Sequence, residues 1–316
     1  MEKRQLGNTD LHIYPIVFGG NVFGWTIDEK QSFEILDKFH GAGFNCIDTA
    51  DVYSKWATGN AGGESETIIG KWMKKNTNRH EIILATKVGS DMGGGKKGLK
   101  KNYILKAVED SLQRLQTDYI DLYQSHFDDS TTAIEETLSA YDQLIKEGKV
   151  KWIGASNLSP ERLKESLAIS ADNGLPQYQT LQPHYNLYAR ENFESGLEPI
   201  CLGHGLGVIT YYSLESGFLS GKYRTEADLH KSQRGGGMAK YFNERGMRIL
   251  EALDLIADET NSTPATVALS WLIHRPSVTA PIVSATTMQQ LKSIIMAPAL
   301  ELDANAVRLL TANSAW

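Results

Sequence analysis

The sequence predicts an α/β protein: a closed (β/α)8 barrel of the TIM type, with an N-terminal β-hairpin over one end. Three observations carry that expectation. Strand-like and helix-like segments alternate from about residue 16 onward. The strand-like runs number eight, and several are apolar nearly throughout, as parallel strands covered on both faces are. The rival, an open doubly wound sheet, usually carries Gly-x-Gly-x-x-Gly after its first strand, and no such match occurs. Gly203-His-Gly-Leu-Gly207 has the wrong spacing and precedes a strand.

The elements follow in order. Residues 5–13, Gln-Leu-Gly-Asn-Thr-Asp-Leu-His-Ile, read as a small hairpin around a polar turn that could plug the barrel. Strands are expected at 16–20, 45–49, 82–87, 120–126, 150–156, 180–185, 208–213 and 280–284, each bounded by Gly, Asn or Asp. Between them, Leu105, Val108, Leu112 and Leu115 recur at spacings of three and four, as do Ile134, Leu138, Tyr141 and Ile145. Each set lays one apolar stripe along a helix. Asp28 with Gln31 fits a capping box, and Ser159-Pro160 and Thr263-Pro264 place an N-cap before proline at the first helical position. Residues 243–260 and 264–275 read as two helices split by Asn261-Ser-Thr-Pro. One domain, 1–316, accounts for this rhythm.

Bulk properties narrow the function. The chain has 316 residues, 41% apolar and 22% charged, as in an ordinary globular enzyme. A net charge of −6 and a pI near 5.8 argue against bulk attraction to nucleic acid or anionic membrane. Cys46 and Cys201 are too few for a disulfide framework and read as small buried hydrophobes in a reducing compartment. The first residues have no apolar signal region, and no run approaches the roughly 18 apolar residues of a membrane span. The expected location is cytoplasmic, without nucleic-acid or membrane partners. Oligomeric state is not legible.

Four residues at the ends of successive strands suggest a chemistry. Asp48 and Tyr53 lie in Cys-Ile-Asp-Thr-Ala-Asp-Val-Tyr-Ser (46–54), Lys87 ends the third strand and His126 the fourth. Singly, each has an ordinary explanation as a cap, a packed ring, a solvated charge or a structural histidine. In a parallel barrel, however, strand C-termini share one face, so the four should converge. A phenol with an ordinary pKa near 10 becomes easier to ionise beside an ammonium. Asp48 would keep Lys87 charged and aimed, Tyr53 would protonate a carbonyl oxygen, and His126 would hold that oxygen. No side chain can supply hydride, which implies a nicotinamide cofactor. No His, Cys and acid cluster has metal-ligand spacing, so no metal is expected.

The chain resembles the aldo-keto reductases over nearly its whole length, a family to which potassium-channel β subunits are also similar. Phe44-Asn-Cys-Ile-Asp-Thr-Ala-Asp-Val-Tyr53 resembles the family signature, Gly62-Gly-Glu-Ser-Glu-Thr-Ile-Ile-Gly70 the helix after it, and the family lysine and histidine fall on Lys87 and His126. The resemblance implies NAD(P)H-dependent reduction of an aldehyde or ketone, with NADP(H) favoured over NAD(H). It implies that Ser156, Asn157 and Gln182 hold the nicotinamide carboxamide. Tyr212-Ser-Leu-Glu-Ser-Gly217 would supply a stacking ring from Tyr212, with Ser213, Leu214 and Gly217 offering backbone to the pyrophosphate. Strand alternation is expected to turn Tyr211 away. Lys222 would reach the phosphates and Arg234 the adenosine side. Gly20 and Asn21 would line the cleft, while Ser284, Thr286 and Gln290 would meet the adenosine phosphate and adenine.

That last motif departs from the family pattern. Ser284 stands for a glycine, Ser293 for an acid and Ile294 for an asparagine, and no Lys or Arg lies in 282–291 for a 2′-phosphate. A helix N-terminus can still bind phosphate through its amides. Residues 91–100, Asp-Met-Gly-Gly-Gly-Lys-Lys-Gly-Leu-Lys, lack P-loop spacing and read as a flexible loop beside the substrate. Trp25, Trp56 and Phe127 are placed to line a partly apolar pocket. Two other readings compete: a cofactor-binding regulatory protein with slow turnover, and a Schiff-base aldolase using Lys87.

Overall fold

Parallel pairing closes the eight runs into a barrel in this computed structural model, which describes residues 2–316. The strands, in chain order, are β1 (Arg4–Gln5), β2 (His12–Ile13), β3 (Val17–Gly19), β4 (Cys46–Asp48), β5 (Ile83–Val88), β6 (Ile120–Ser125), β7 (Val150–Ser156), β8 (Thr180–Gln182), β9 (Gly207–Thr210) and β10 (Ala280–Val283). β1 and β2 pair antiparallel, and β3 to β10 form the closed sheet, with β10 returning to β3. The helices are α1 (Glu29–Gly41), α2 (Glu64–Asn76), α3 (Lys101–Leu115), α4 (Ile134–Lys146), α5 (Pro160–Asn173), α6 (Glu198–His204), α7 (Glu244–Glu259), α8 (Pro264–Ile273), α9 (Met288–Met296) and α10 (Ala304–Asn313). None is long and apolar enough to cross a membrane.

Strand periodicity sorts the side chains into two cores. Outward residues pack with the helices in one cluster that includes Phe18, Leu84, Tyr123 and Trp72. Inward residues Val17, Cys46, Ala85, Leu122, Ile209 and Ala280 form a second cluster inside the barrel. The hairpin joins that second cluster through Leu6, Leu11 and Ile13, so it plugs the N-terminal end as expected. Its turn lies tight against the strands: a Cβ on Gly7 would fall 2.1 Å from the Gln179 carbonyl oxygen, at φ 64°. Only glycine fits there. Both cysteines are buried and free.

Several element ends differ from expectation. The first strand stops at Gly19, and Gly20–Val22 make a 3-10 turn. The strand from Thr180 stops at Gln182 because Pro183 has no N–H to give the ladder. That from Gly207 stops at Thr210, three residues short. Ser159 and Thr263 cap α5 and α8 as expected. The box at α1 is half made: Asp28 accepts from the Gln31 amide, but the Gln31 side chain donates 2.7 Å to the Thr286 carbonyl instead. Tertiary contact outcompeted the local return bond. The helix stripes are rotated slightly: Ile104 and Leu144 are buried, whereas Leu105 and Ile145 sit half-buried at the edge.

Candidate active site

Register brings the four predicted residues to one end of the barrel. Gly19 pairs with Asp48, and Lys87 with Gln124, two residues before His126. The Lys87 side chain is fully buried, and its ammonium uses all three N–H donors. It gives 2.6 Å to Asp48 Oδ2, 2.7 Å to the Thr49 carbonyl and 2.9 Å to the Tyr53 hydroxyl. The other Asp48 oxygen accepts from Gln182 Nε2 at 2.9 Å and Gln124 Nε2 at 3.2 Å. A buried ion pair costs several kcal/mol per ion in lost hydration, which the three donors on Asp48 and the three acceptors around Lys87 offset. The His126 ring meets the Tyr53 ring edge-on at 6.0 Å between centroids.

The electrostatics follow from burial and from these contacts. Burial pulls Lys87 down, but Asp48 and Tyr53 outweigh it and hold the ammonium above its usual value. At Tyr53, burial raises the phenol, Lys87 pulls it back, and Asp48 pushes it up again; the net direction is upward. This corrects the expected acidification: desolvation outweighs the ammonium, and Tyr53 stays a protonated donor. Burial first, and Lys87 second, push His126 well below the ordinary imidazole value, so its ring is neutral. A neutral imidazole keeps one N–H to donate.

The expected cofactor residues form a continuous edge. Ser156 Oγ donates to the Gln182 carbonyl at 2.9 Å, and Asn157 Nδ2 to the His126 carbonyl at 2.9 Å. Ser284 Oγ bonds the Gly19 carbonyl and Asn21 Oδ1, both at 2.6 Å. Gln290 Oε1 accepts from the Thr286 amide at 2.8 Å, at the start of α9, and Thr287 caps that helix. After β9 the chain turns through left-handed residues: Tyr212 at φ 52°, Glu215 at 46°, Ser216 at 55° and Gly217 at 100°. Within this turn the Glu215 amide donates to the Tyr212 carbonyl and the Gly217 amide, at 2.8 Å, to the Leu214 carbonyl. Buried Glu215 anchors the loop by accepting from His184, Asn186 and Tyr241. A Cβ on Gly217 would sit 3.2 Å from Lys222 Nζ, so the glycine lets that ammonium lie against the loop. Among the described residues Lys222 has no acidic partner. The Lys222 ammonium and the α9 N-terminus are groups of the kind that hold phosphates.

Tyr211 and Tyr212 need a correction. Alternation cannot separate them, because the strand ends at Thr210 and Tyr212 is left-handed. Tyr211 does not turn away: its hydroxyl donates 2.8 Å to Asn157 Oδ1, and its ring stacks on His184 at 5.3 Å. Tyr212 is 48% exposed. The sequence reading also missed Gln124, although inward alternation two residues before His126 points to it, and Asp51. The Asp51 carboxylate is buried, neither oxygen has a partner among the described residues, and burial with Glu66 nearby raises it to about 8.

A closed parallel barrel with a buried carboxylate–ammonium–phenol chain at its strand C-termini carries its polar cluster on the face where barrel enzymes place their active sites. The sequence profile of the aldo/keto reductase family matches residues 15–314, and the chain belongs to that family. Relatives include the uncharacterized oxidoreductase YrpG of Bacillus subtilis, 34% identical over 98% of this chain and 95% of that one. Norsolorinic acid reductase of Aspergillus flavus is 31% identical over 94% of this chain and 77% of that one. A probable voltage-gated potassium channel subunit beta of Arabidopsis thaliana is 31% identical over 92% and 89%. Family membership makes the protein an oxidoreductase of carbonyl compounds in the general sense, and the family generally uses NAD(P)H.

Proposed function

We propose that the protein reduces an aldehyde or ketone to the alcohol with Tyr53 as general acid. The observation that carries this reading is the buried chain Asp48–Lys87–Tyr53, at 2.6 and 2.9 Å, at the barrel's C-terminal mouth. A bound nicotinamide supplies the hydride to the carbonyl carbon. Tyr53 gives its proton to the carbonyl oxygen, and the Lys87 ammonium beside it stabilises the phenolate left behind. Asp48 keeps Lys87 charged and fixes its direction. His126, neutral, donates one hydrogen bond to the same oxygen and orients it. Ser156, Asn157 and Gln182 would hold the carboxamide, and Tyr211 or Tyr212 the nicotinamide face. The residues from Ser213 to Gly217, with Lys222, would meet the phosphates, while Gly20, Asn21, Ser284, Thr286 and Gln290 would line the remaining cleft.

NADP(H) is proposed over NAD(H). The support is family resemblance; the segment 282–291 offers a 2′-phosphate only amides and the hydroxyls of Ser284, Thr286 and Thr287. The Schiff-base reading loses ground because an ammonium with three acceptors is not a free amine. A steady-state assay of NADPH oxidation with simple aldehydes tests the proposal, and NADH run in parallel tests the preference. Repeated turnover supports a reductase. A single stoichiometric oxidation would favour the slow cofactor-binding role suggested by the similarity to a channel β subunit.

A further inference from the structure

One buried side chain in the Asp48–Lys87–Tyr53 cluster has no part in the steps proposed above: Gln124. It stands on β6, fully buried, with its Cα opposite Lys87 on β5 and Gly154 on β7. The inward pair before it along β5 and β6, Ala85 and Leu122, is apolar. Its side chain fits because its neighbour on β7 is glycine: a Cβ on Gly154 would fall 3.2 Å from Gln124 Cγ and 2.1 Å from Thr180 Oγ1. A buried amide is unfavourable unless it is hydrogen-bonded, and a methionine would fill the same space without that penalty.

The amide is directed at Asp48. Gln124 Nε2 donates 3.2 Å to Asp48 Oδ1, the oxygen that Lys87 does not use. Gln182 Nε2 donates to the same oxygen at 2.9 Å and also lies 3.4 Å from Gln124 Oε1. An ionised carboxylate only accepts, so both amides must turn their nitrogens to it. The two amides and the carboxylate close a ring of three contacts. Oδ1 is thereby held from behind while Oδ2 faces the ammonium. This matters because Lys87 divides its donors among Asp48, the Thr49 carbonyl and Tyr53. A carboxylate with one free oxygen would be able to swing and meet the ammonium with both, drawing it off the phenol. Of the two clamps, Gln182 is also proposed to hold a carboxamide. The Gln124 side chain bonds only Asp48 and Gln182 among the described residues.

We propose that Gln124 is a positioning residue for the reduction: by holding Asp48 from behind it keeps Lys87 aimed at the Tyr53 hydroxyl, and it touches neither reactant. The proposal rests on the reductase reading and deepens it.

Two variants of similar volume test it, assayed with NADPH and a simple aldehyde. Gln124→Met removes the donor. Its kcat should fall by about tenfold to hundredfold, the range for a hydrogen bond to a charged group, with NADPH affinity little changed. A kcat equal to wild type would overturn the proposal. Gln124→Glu puts a second carboxyl beside Asp48, and two carboxyls in contact tend to share one proton. Protonated, the introduced group can still donate to Asp48; ionised, it repels it. The ratio of variant to wild-type kcat should therefore fall as pH rises from about 6 to 9. A ratio constant with pH would mean that the side chain only fills space, and would overturn the proposal. A double-mutant cycle on melting temperature reads the contact without turnover. The introduced carboxyl keeps its proton in the folded state, so Gln124→Glu should lose stability relative to wild type as pH rises from about 5 to 8. In an Asp48→Asn background, where the like charge is gone, that slope should shrink, and an undiminished slope would overturn the proposal. A wild type inert to every aldehyde would count against the reductase reading, while the cycle still judges the hold of Gln124 on Asp48.

Discussion

Lys87 survives as a buried ammonium because three oxygens surround it, and each of its neighbours depends on it in turn. Lys87→Met would leave the Asp48 carboxylate buried without its cation, a loss on the order of 3–5 kcal/mol in stability as well as in activity. Thermal unfolding beside kcat measures both, and an unchanged melting temperature would mean that the pair does not hold the fold together. Asp51 poses the opposite case. Its folded-state value of about 8 lies above the ordinary carboxylate value, so the native state holds a proton that the unfolded chain has released. Stability from this group is complete below the unfolded value near 4 and declines as pH rises toward 8. Asp51→Asn should therefore melt a few degrees higher than wild type at pH 8, with the gain shrinking near pH 5. A gain that grows on acidification would reverse the assignment. Asp48, Tyr53, Lys87 and His126 were legible because strand ends must converge in a barrel. Asp51 was not, since its character comes from burial and then from Glu66 on α2, and neither follows from local pattern. The upward shift at Tyr53 escaped for the same reason: proximity to lysine can be read from order along the chain, desolvation cannot.

Among the elements, the loop after β9 has the most specific demands. Four of its residues are left-handed, and Gly217 at φ 100° lies where side chains are rarely tolerated. Gly217→Ala should cost about 1–2 kcal/mol in strain at that position and crowd Lys222. A titration with NADPH should then show weaker binding, by roughly fivefold to thirtyfold if the strain is expressed in the bound loop. Equal affinity would remove this loop from the phosphate site. The sequence showed the loop's glycine and lysine but not its path, because the strand was extended three residues too far. Alternation is a rule for paired strands, and beyond Thr210 only a single bridge, Tyr211 with His184, remains before the left-handed Tyr212. Caps at Ser159 and Thr263 were legible because the bond is local, whereas the Gln31 side chain was drawn to Thr286 across the fold.

At the scale of the molecule, the barrel separates stability from chemistry. The hairpin seals the N-terminal end with Leu6, Leu11 and Ile13, and Asp48, Lys87 and Tyr53 lie at the other. Leu6 is fully buried. Leu6→Ala should lower stability by about 2–5 kcal/mol, the usual cost of a core cavity. Turnover per folded molecule should hold, as assays well below the melting transition would show; a large fall in kcat there would mean the two ends are coupled. The closed architecture was legible from eight apolar runs and their helical spacers, since parallel strands buried on both faces allow few other arrangements. Strand lengths were less so, because pairing partners decide where each ladder stops. The central claim is that a protonated phenol, held by a buried ammonium, completes carbonyl reduction. Its most direct measurement is kcat of Tyr53→Phe together with NADPH affinity. Turnover reduced by about 10²–10⁴ with cofactor binding intact is the predicted result, and wild-type turnover in that variant would contradict it.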